Sequence, residues 1–129
     1  MMKFIYTVLL CLLSISLIGQ DAGEIAKFEQ EIIALGTIEK GDKVTNQFVF
    51  TNISESDIEI DLVSTCECTE AKWTSGSIAP GEKGTIDFTF DSSKKDEVMP
   101  IDVDVYFMNI NPKTTNPYSM YLQYTFEFK

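Results

Sequence analysis

The chain has 129 residues, with 20 Asp or Glu against 10 Lys, no Arg and no His, for a net charge of −10. The missing imidazole and guanidinium exclude Ser-His-Asp and Cys-His catalysis, histidine-ligated metals and fork-shaped anion sites. The acidity argues against nucleic acid and anionic membrane as partners.

Lys3 precedes an uncharged, Leu-rich run from Phe4 to Ile18, followed by Gly19 and Gln20. A short positive region, an apolar run of this length and a small residue at its end predict a secretory signal peptide over residues 1–19. A membrane-spanning helix needs roughly 20 apolar residues, and the acidic segment from Asp21 has no positive stop-transfer flank, so no span is expected after cleavage. Cys11 follows Val8, Leu9 and Leu10, without the small residue that a lipid-attachment site would place before it, and reads as one more apolar side chain. Loss of residues 1–19 removes one Lys and takes the net charge to −11.

Residues 24–129 are expected to form one domain, burying roughly 65% of the surface of its unfolded chain. Between Glu24 and Ala34, Ile25, Phe28 and Ile32 fall at helical spacing, but Gly23 and Gly36 bracket the stretch and favour an extended reading, with a weaker strand over Ile32 to Ile38. The next segment alternates, with Val44, Phe48 and Phe50 on one face and Thr45, Gln47 and Thr51 on the other. Ile58, Ile60 and Leu62 then oppose Asp57, Glu59 and Asp61. A second weaker strand falls around Thr69 to Trp73, before Ile86, Phe88 and Phe90 oppose Asp87, Thr89 and Asp91. Downstream, Ile101, Val103, Val105 and Phe107 form one face, as do Met120, Leu122, Tyr124, Phe126 and Phe128. Turn signals separate these runs at Glu39 to Asp42, Asn52 to Ser56, Pro80 to Gly84, Ser92 to Asp96 and Asn109 to Asn116. About seven strands, each with one apolar face, predict an all-β, immunoglobulin-like antiparallel sandwich, with a closed barrel as the alternative.

Cys66-Glu67-Cys68 holds the two thiols that remain after processing, and three readings stand. On an extended strand both sulfurs share a face. Their α-carbons would then lie about 6.7 Å apart, at the long end of the disulfide range, so a local bridge needs a bend. Alternatively, two thiolates suit copper(I) or part of a zinc site, with Met99, Met108, Met120 or carboxylates as further ligands. The plain reading is a disulfide or thiol pair that tightens one corner of the fold. A redox enzyme more often places Cys-x-x-Cys at a helix start, and no helix is expected here.

The acidic rows Asp57-Glu59-Asp61 and Asp102-Asp104 read as solvated outer faces, and a Ca²⁺ site would need neighbouring strands to unite them. Asn52-Ile53-Ser54 has the form of a glycosylation acceptor but sits in a turn signal, and Trp73 is expected to pack under the strand edge near the cysteines. The C-terminal strand, with Tyr118, Tyr121 and Tyr124, runs to the end of the chain and is the candidate interaction strand for partner binding by strand addition.

The run Leu35 to Val44, then Phe48 to Asn52, Thr65-Cys66-Glu67-Cys68-Thr69, Pro80-Gly81-Glu82-Lys83-Gly84 and Phe88 to Asp91 resembles the bacterial secreted domain-of-unknown-function family numbered 1573. The likeness covers roughly residues 25–108, with Glu67 standing where the family usually has Gly and Asn46 where it often has His. It implies an exported immunoglobulin-like sandwich of the bacterial envelope, periplasmic or extracellular. The expected function is a non-enzymatic structural or protein-interaction module with no cofactor and an unknown protein partner. Thiol-dependent soft-metal binding or redox chemistry at Cys66 and Cys68 is the alternative.

Overall fold

The computed structural model describes residues 21–129, so the expected signal peptide and Cys11 lie outside the described residues. Eight strands follow in chain order: β1 (Ala26–Phe28), β2 (Ile32–Ile38), β3 (Lys43–Asn52), β4 (Ile60–Thr65), β5 (Thr69–Trp73), β6 (Lys83–Asp91), β7 (Ile101–Ile110) and β8 (Pro117–Phe128). They form two four-stranded sheets, ordered β1-β3-β6-β5 and β2-β8-β7-β4. The architecture is the predicted sandwich, with strand β1 added to the expected set. The stretch read as extended from Glu24 to Ala34 is so only from Ala26, since Glu24 ends a 3₁₀ turn (Ala22–Glu24) that Ile25 caps, and it changes sheet: β1 pairs with β3, and after the polar step Glu29-Gln30-Glu31 the chain joins β8 as β2. That β2–β8 pairing is parallel, the one departure from the antiparallel pattern among the described strands.

Period-two alternation places one face of each strand in a common core. Phe48 and Phe50 of β3, Ile86, Phe88 and Phe90 of β6, Val103, Val105 and Phe107 of β7, and Leu122 and Tyr124 of β8 are almost fully buried. Aromatic rings join the layers: Phe88 stacks on Tyr124 with centroids 4.6 Å apart, and Phe90 meets Phe126 at 4.7 Å.

Leu62 departs from its expected inward face and is exposed, while Val63 is buried. Ile60 pairs with Phe107 and Leu62 with Tyr106, so Asp61 is an extra residue in the ladder. Such a bulge reverses the parity of every residue beyond it.

The loops at one end converge on Asn52, which is 1% exposed. Its amide donates to the carbonyls of Ser56 and Ile78, and its Oδ1 accepts from the Ser54 N–H and hydroxyl. Both amide hydrogens are therefore committed, and the side chain is a turn fastener rather than a free glycan acceptor. Beside it, the Ala79–Glu82 turn closes with Pro80 at its second position and Gly81 at a φ of 82° at its third, the type II requirement. Gly84 leaves room for the Phe50 ring: a β-carbon there would come within 2.4 Å of Phe50 Cζ.

At the start of the described chain, the Asp21 carboxylate accepts from the Ser119 N–H and the Asn111 amide, so residues ahead of the expected Glu24 boundary already belong to the fold. Replacing Asn52 with Ala removes four hydrogen bonds at once, including the buried one to the Ile78 carbonyl. It is expected to lower the unfolding free energy by about 2–3 kcal/mol, measured by urea denaturation. A loss below ~0.5 kcal/mol, the ordinary surface level, would contradict the fastener role.

Candidate functional site: the disulfide corner and the β5 edge

Cys66-Glu67-Cys68 is not strand. It is the turn that carries the chain from β4 in one sheet to β5 in the other, closed by the Thr69 N–H donating to the Cys66 carbonyl at 3.1 Å. The bend that a local bridge requires is thus supplied by the inter-sheet crossing: Cys66 and Cys68 are disulfide-bonded with α-carbons 5.2 Å apart. No Gly or Pro marks this turn, which is why alternation alone reads it as extended.

The two sulfurs face different surroundings. Cys68 is 3% exposed and belongs to the core, whereas Cys66 is only partly buried. Cys66 borders an open cleft of about 270 Å³ with Lys95, Met99, Pro100, Asp102 and Asp104. Thr69 Oγ1 lies 3.3 Å from Cys68 Sγ, 3.7 Å from Cys66 Sγ and 2.5 Å from the Tyr124 hydroxyl. The Cys68 N–H donates to Cys66 Sγ at 3.1 Å. Burial pushes the Tyr124 phenol up to about 12, against a smaller opposing effect of its Thr69 hydrogen bond. In the cleft, partial burial and then the neighbouring Asp102 charge raise the Asp104 carboxyl.

Of the methionines considered as soft-metal ligands, Met99 borders the cleft with Cys66. Met108 lies with Asp57 and Glu59, and Met120 with Gly23 and Phe28. Among the described residues no group of three or more His, Cys, Asp or Glu is placed to hold a metal ion. The two acidic rows also stay apart: Asp104 pairs across from Ser64, whereas Glu59 meets the Met108–Asn109 end of β7. Trp73 is half-buried at the far end of β5, about 13 Å along the strand from Thr69, so it packs on the core away from the cysteines.

The candidate interaction strand needs correction. β8 is flanked by β7 between Pro117 and Tyr124 and by β2 between Gln123 and Phe128, so it lies inside its sheet rather than at an edge, with Gln123 and Tyr124 paired on both sides. Its tyrosines also diverge: Tyr124 is fully buried, Tyr118 is half-buried against the core, and Tyr121 is 40% exposed on the opposite face. Position in the chain does not reveal order in the sheet.

The free edges are β1, β5, β2 and β4. Register breaks interrupt β2 and β4, and β1 has three residues. β5 is an unbroken five-residue edge, in register with β6 from Thr69 to Trp73. The Asp91 N–H donates to the Cys68 carbonyl and the Thr74 N–H to the Thr85 carbonyl. These bonds put the even-numbered residues in hydrogen-bonded pairs with β6, so the N–H and C=O groups of Ala71 and Trp73 point away from the sheet. Sequence reading located β5 correctly but missed its edge position, which depends on pairings distant in the chain.

The family described as "Protein of unknown function (DUF1573)" matches residues 26–120. The chain belongs to this family. Among curated proteins none matches the chain. The DUF1573 sandwich is similar to a Porphyromonas gingivalis W83 protein of unknown function, with a TM-score of 0.61 and 11% identity. That match covers 78% of the chain but 46% of the Porphyromonas protein. It is equally similar to the ASH/PapD-like domain 7 of human CEP192, with a TM-score of 0.61 and 11% identity over 89% of the chain and 92% of that domain. The Vibrio cholerae VesB protease matches with a TM-score of 0.56 and 13% identity, over 79% of this chain and 31% of the protease chain. At these identities the likeness is one of fold.

A phenol held at about 12 in the fold and near 10 when unfolded keeps its proton more tightly in the native state. The stability this confers is complete below pH 10 and is lost as the pH rises toward about 12. Tyr124→Phe should therefore flatten the alkaline decline of the unfolding free energy relative to wild type. Parallel declines for the two proteins would show that Tyr124 ionises freely in the fold.

Proposed function

We propose that this DUF1573 chain is an exported, non-enzymatic interaction module of the bacterial envelope, and that it binds an extended segment of a partner polypeptide along the edge of β5. The observation that carries this reading is the unbroken β5 edge, whose Ala71 and Trp73 backbone groups point outward. An added strand would satisfy those groups by the same geometry that joins β5 to β6, and would cover the half-buried Trp73. The excess of acidic residues favours a basic partner segment through long-range attraction. Export is supported by the apolar N-terminal run and by a disulfide that suits an oxidising compartment. The lack of His and Arg supports a binding role over catalysis.

Ala71→Pro removes one outward N–H without breaking a bond to β6, and proline is tolerated at such edge positions. The variant should keep the wild-type melting temperature within a few degrees while losing capture of the envelope partner. Glu70→Pro, whose N–H belongs to the β6 ladder, should instead lower the melting temperature. Undiminished capture by a folded Ala71→Pro chain would contradict the β5 assignment.

A further inference from the structure

The disulfide corner has an asymmetry that a purely structural cross-link does not need. Cys66 borders an open cleft, whereas Cys68 is sealed in the core. We propose that the Cys66–Cys68 pair is a thiol–disulfide exchange centre of fixed direction, in which an external thiol attacks Cys66 and Cys68 is the leaving sulfur.

Access decides the first half. An incoming thiolate must reach the sulfur that it attacks, and rates of exchange follow that access. Cys66 is reached from the cleft beside Lys95 and Met99, whereas Cys68, at 3% exposure, is covered by the sandwich. The Lys95 ammonium provides a positive charge in the same cleft, opposing the repulsion of a thiolate by Asp102 and Asp104.

The second half is stabilisation of the departing sulfur. As the Cys66–Cys68 bond breaks, negative charge develops on Cys68 Sγ in a buried position, which is unfavourable without donors. Thr69 Oγ1 stands 3.3 Å from that sulfur and 2.5 Å from the Tyr124 hydroxyl. The Tyr124 hydroxyl can donate to Thr69 Oγ1 while the Thr69 hydroxyl donates to Cys68 Sγ, with Tyr124 itself 3.9 Å from the sulfur. In the dithiol form of the same turn, the Cys68 N–H at 3.1 Å favours a thiolate on Cys66, the sulfur open to the next partner.

The step balances with a thiol as the only co-reactant. A thiolate RS⁻ forms a bond to Cys66 Sγ, the Cys66–Cys68 bond breaks, and Cys68 leaves as a thiolate that takes up the proton released by RSH. A second RSH then attacks the sulfur of R in the mixed disulfide, giving RSSR and the protein dithiol. In reverse, the Cys68 thiolate attacks Cys66 Sγ and expels RS⁻. Thr69 and Tyr124 are positioning residues in this scheme.

The test incubates the folded chain with reduced glutathione, traps free thiols with an alkylating agent and maps the adducts by mass spectrometry. The expected result is a glutathione adduct on Cys66 and alkylation on Cys68. A parallel arm replaces glutathione with an unstructured peptide that bears one cysteine. An adduct at Cys66 in the first arm alone identifies a small-thiol site, and one in both arms a site that also admits peptide thiols. With oxidised glutathione, Cys68→Ser should form the Cys66 adduct at least ~10-fold faster than Cys66→Ser forms one at Cys68, since thiol reactivity follows exposure and local charge. Thr69→Val should slow adduct formation on the wild-type disulfide without altering which cysteine carries it. The proposal is overturned if the bond is reduced only when the chain is unfolded, or if wild-type adducts form chiefly on Cys68. Wild-type mapping decides the matter even where a serine variant fails to fold. No arm involves the β5 partner, so failure here leaves the interaction reading intact.

Discussion

Tyr124 joins parts of the fold that are distant in sequence. Its ring stacks on Phe88 of the opposite sheet and meets Phe90 beside it, so its position sets how β8 sits over β6. Its hydroxyl reaches Thr69, the first residue of the edge strand and the residue that closes the cysteine turn. A phenol is suited to this place because it supplies a large apolar face and a polar tip, and the tip has a buried partner. Packing between the sheets, the start of β5 and the surroundings of Cys68 are therefore coupled through one side chain.

That coupling explains why a short edge strand can be held in register while leaving one side open. β5 is paired along one side with β6 and anchored at its N-terminal end by the turn and its disulfide. The other edges are blunted in ways that natural sheets commonly use. β2 bends at a register shift where Gly36 takes a φ of 79°, β4 carries the Asp61 bulge, and β1 is short. The fold thus leaves its one regular edge beside its one disulfide among the described residues, so the proposed interaction surface and the proposed thiol centre are neighbours.

Much of this was legible in the alternation of side chains. The two weaker runs read from local pattern, Ile32 to Ile38 and Thr69 to Trp73, coincide with β2 and β5. The bulge at Asp61 was not, since inserting one residue leaves each half of the pattern intact and only reverses its parity, as Leu62 and Val63 show. The cysteine turn was hidden because Glu67 is compatible with either an extended or a turned backbone. The place of β8 inside its sheet was hidden for a different reason: it depends on β2 and β7 flanking it, a fact of long-range pairing. The Thr69–Tyr124 contact likewise joins residues separated by 55 positions, and nothing local announces it.

The open, in-register edge is the claim on which the rest turns, and amide hydrogen exchange along β5 in the isolated chain tests it most directly. The account predicts that the Glu70 and Lys72 amides, bonded to β6, exchange slowly, whereas those of Ala71 and Trp73 exchange rapidly. Equal protection of all four amides, or rapid exchange of Glu70 and Lys72, would contradict it.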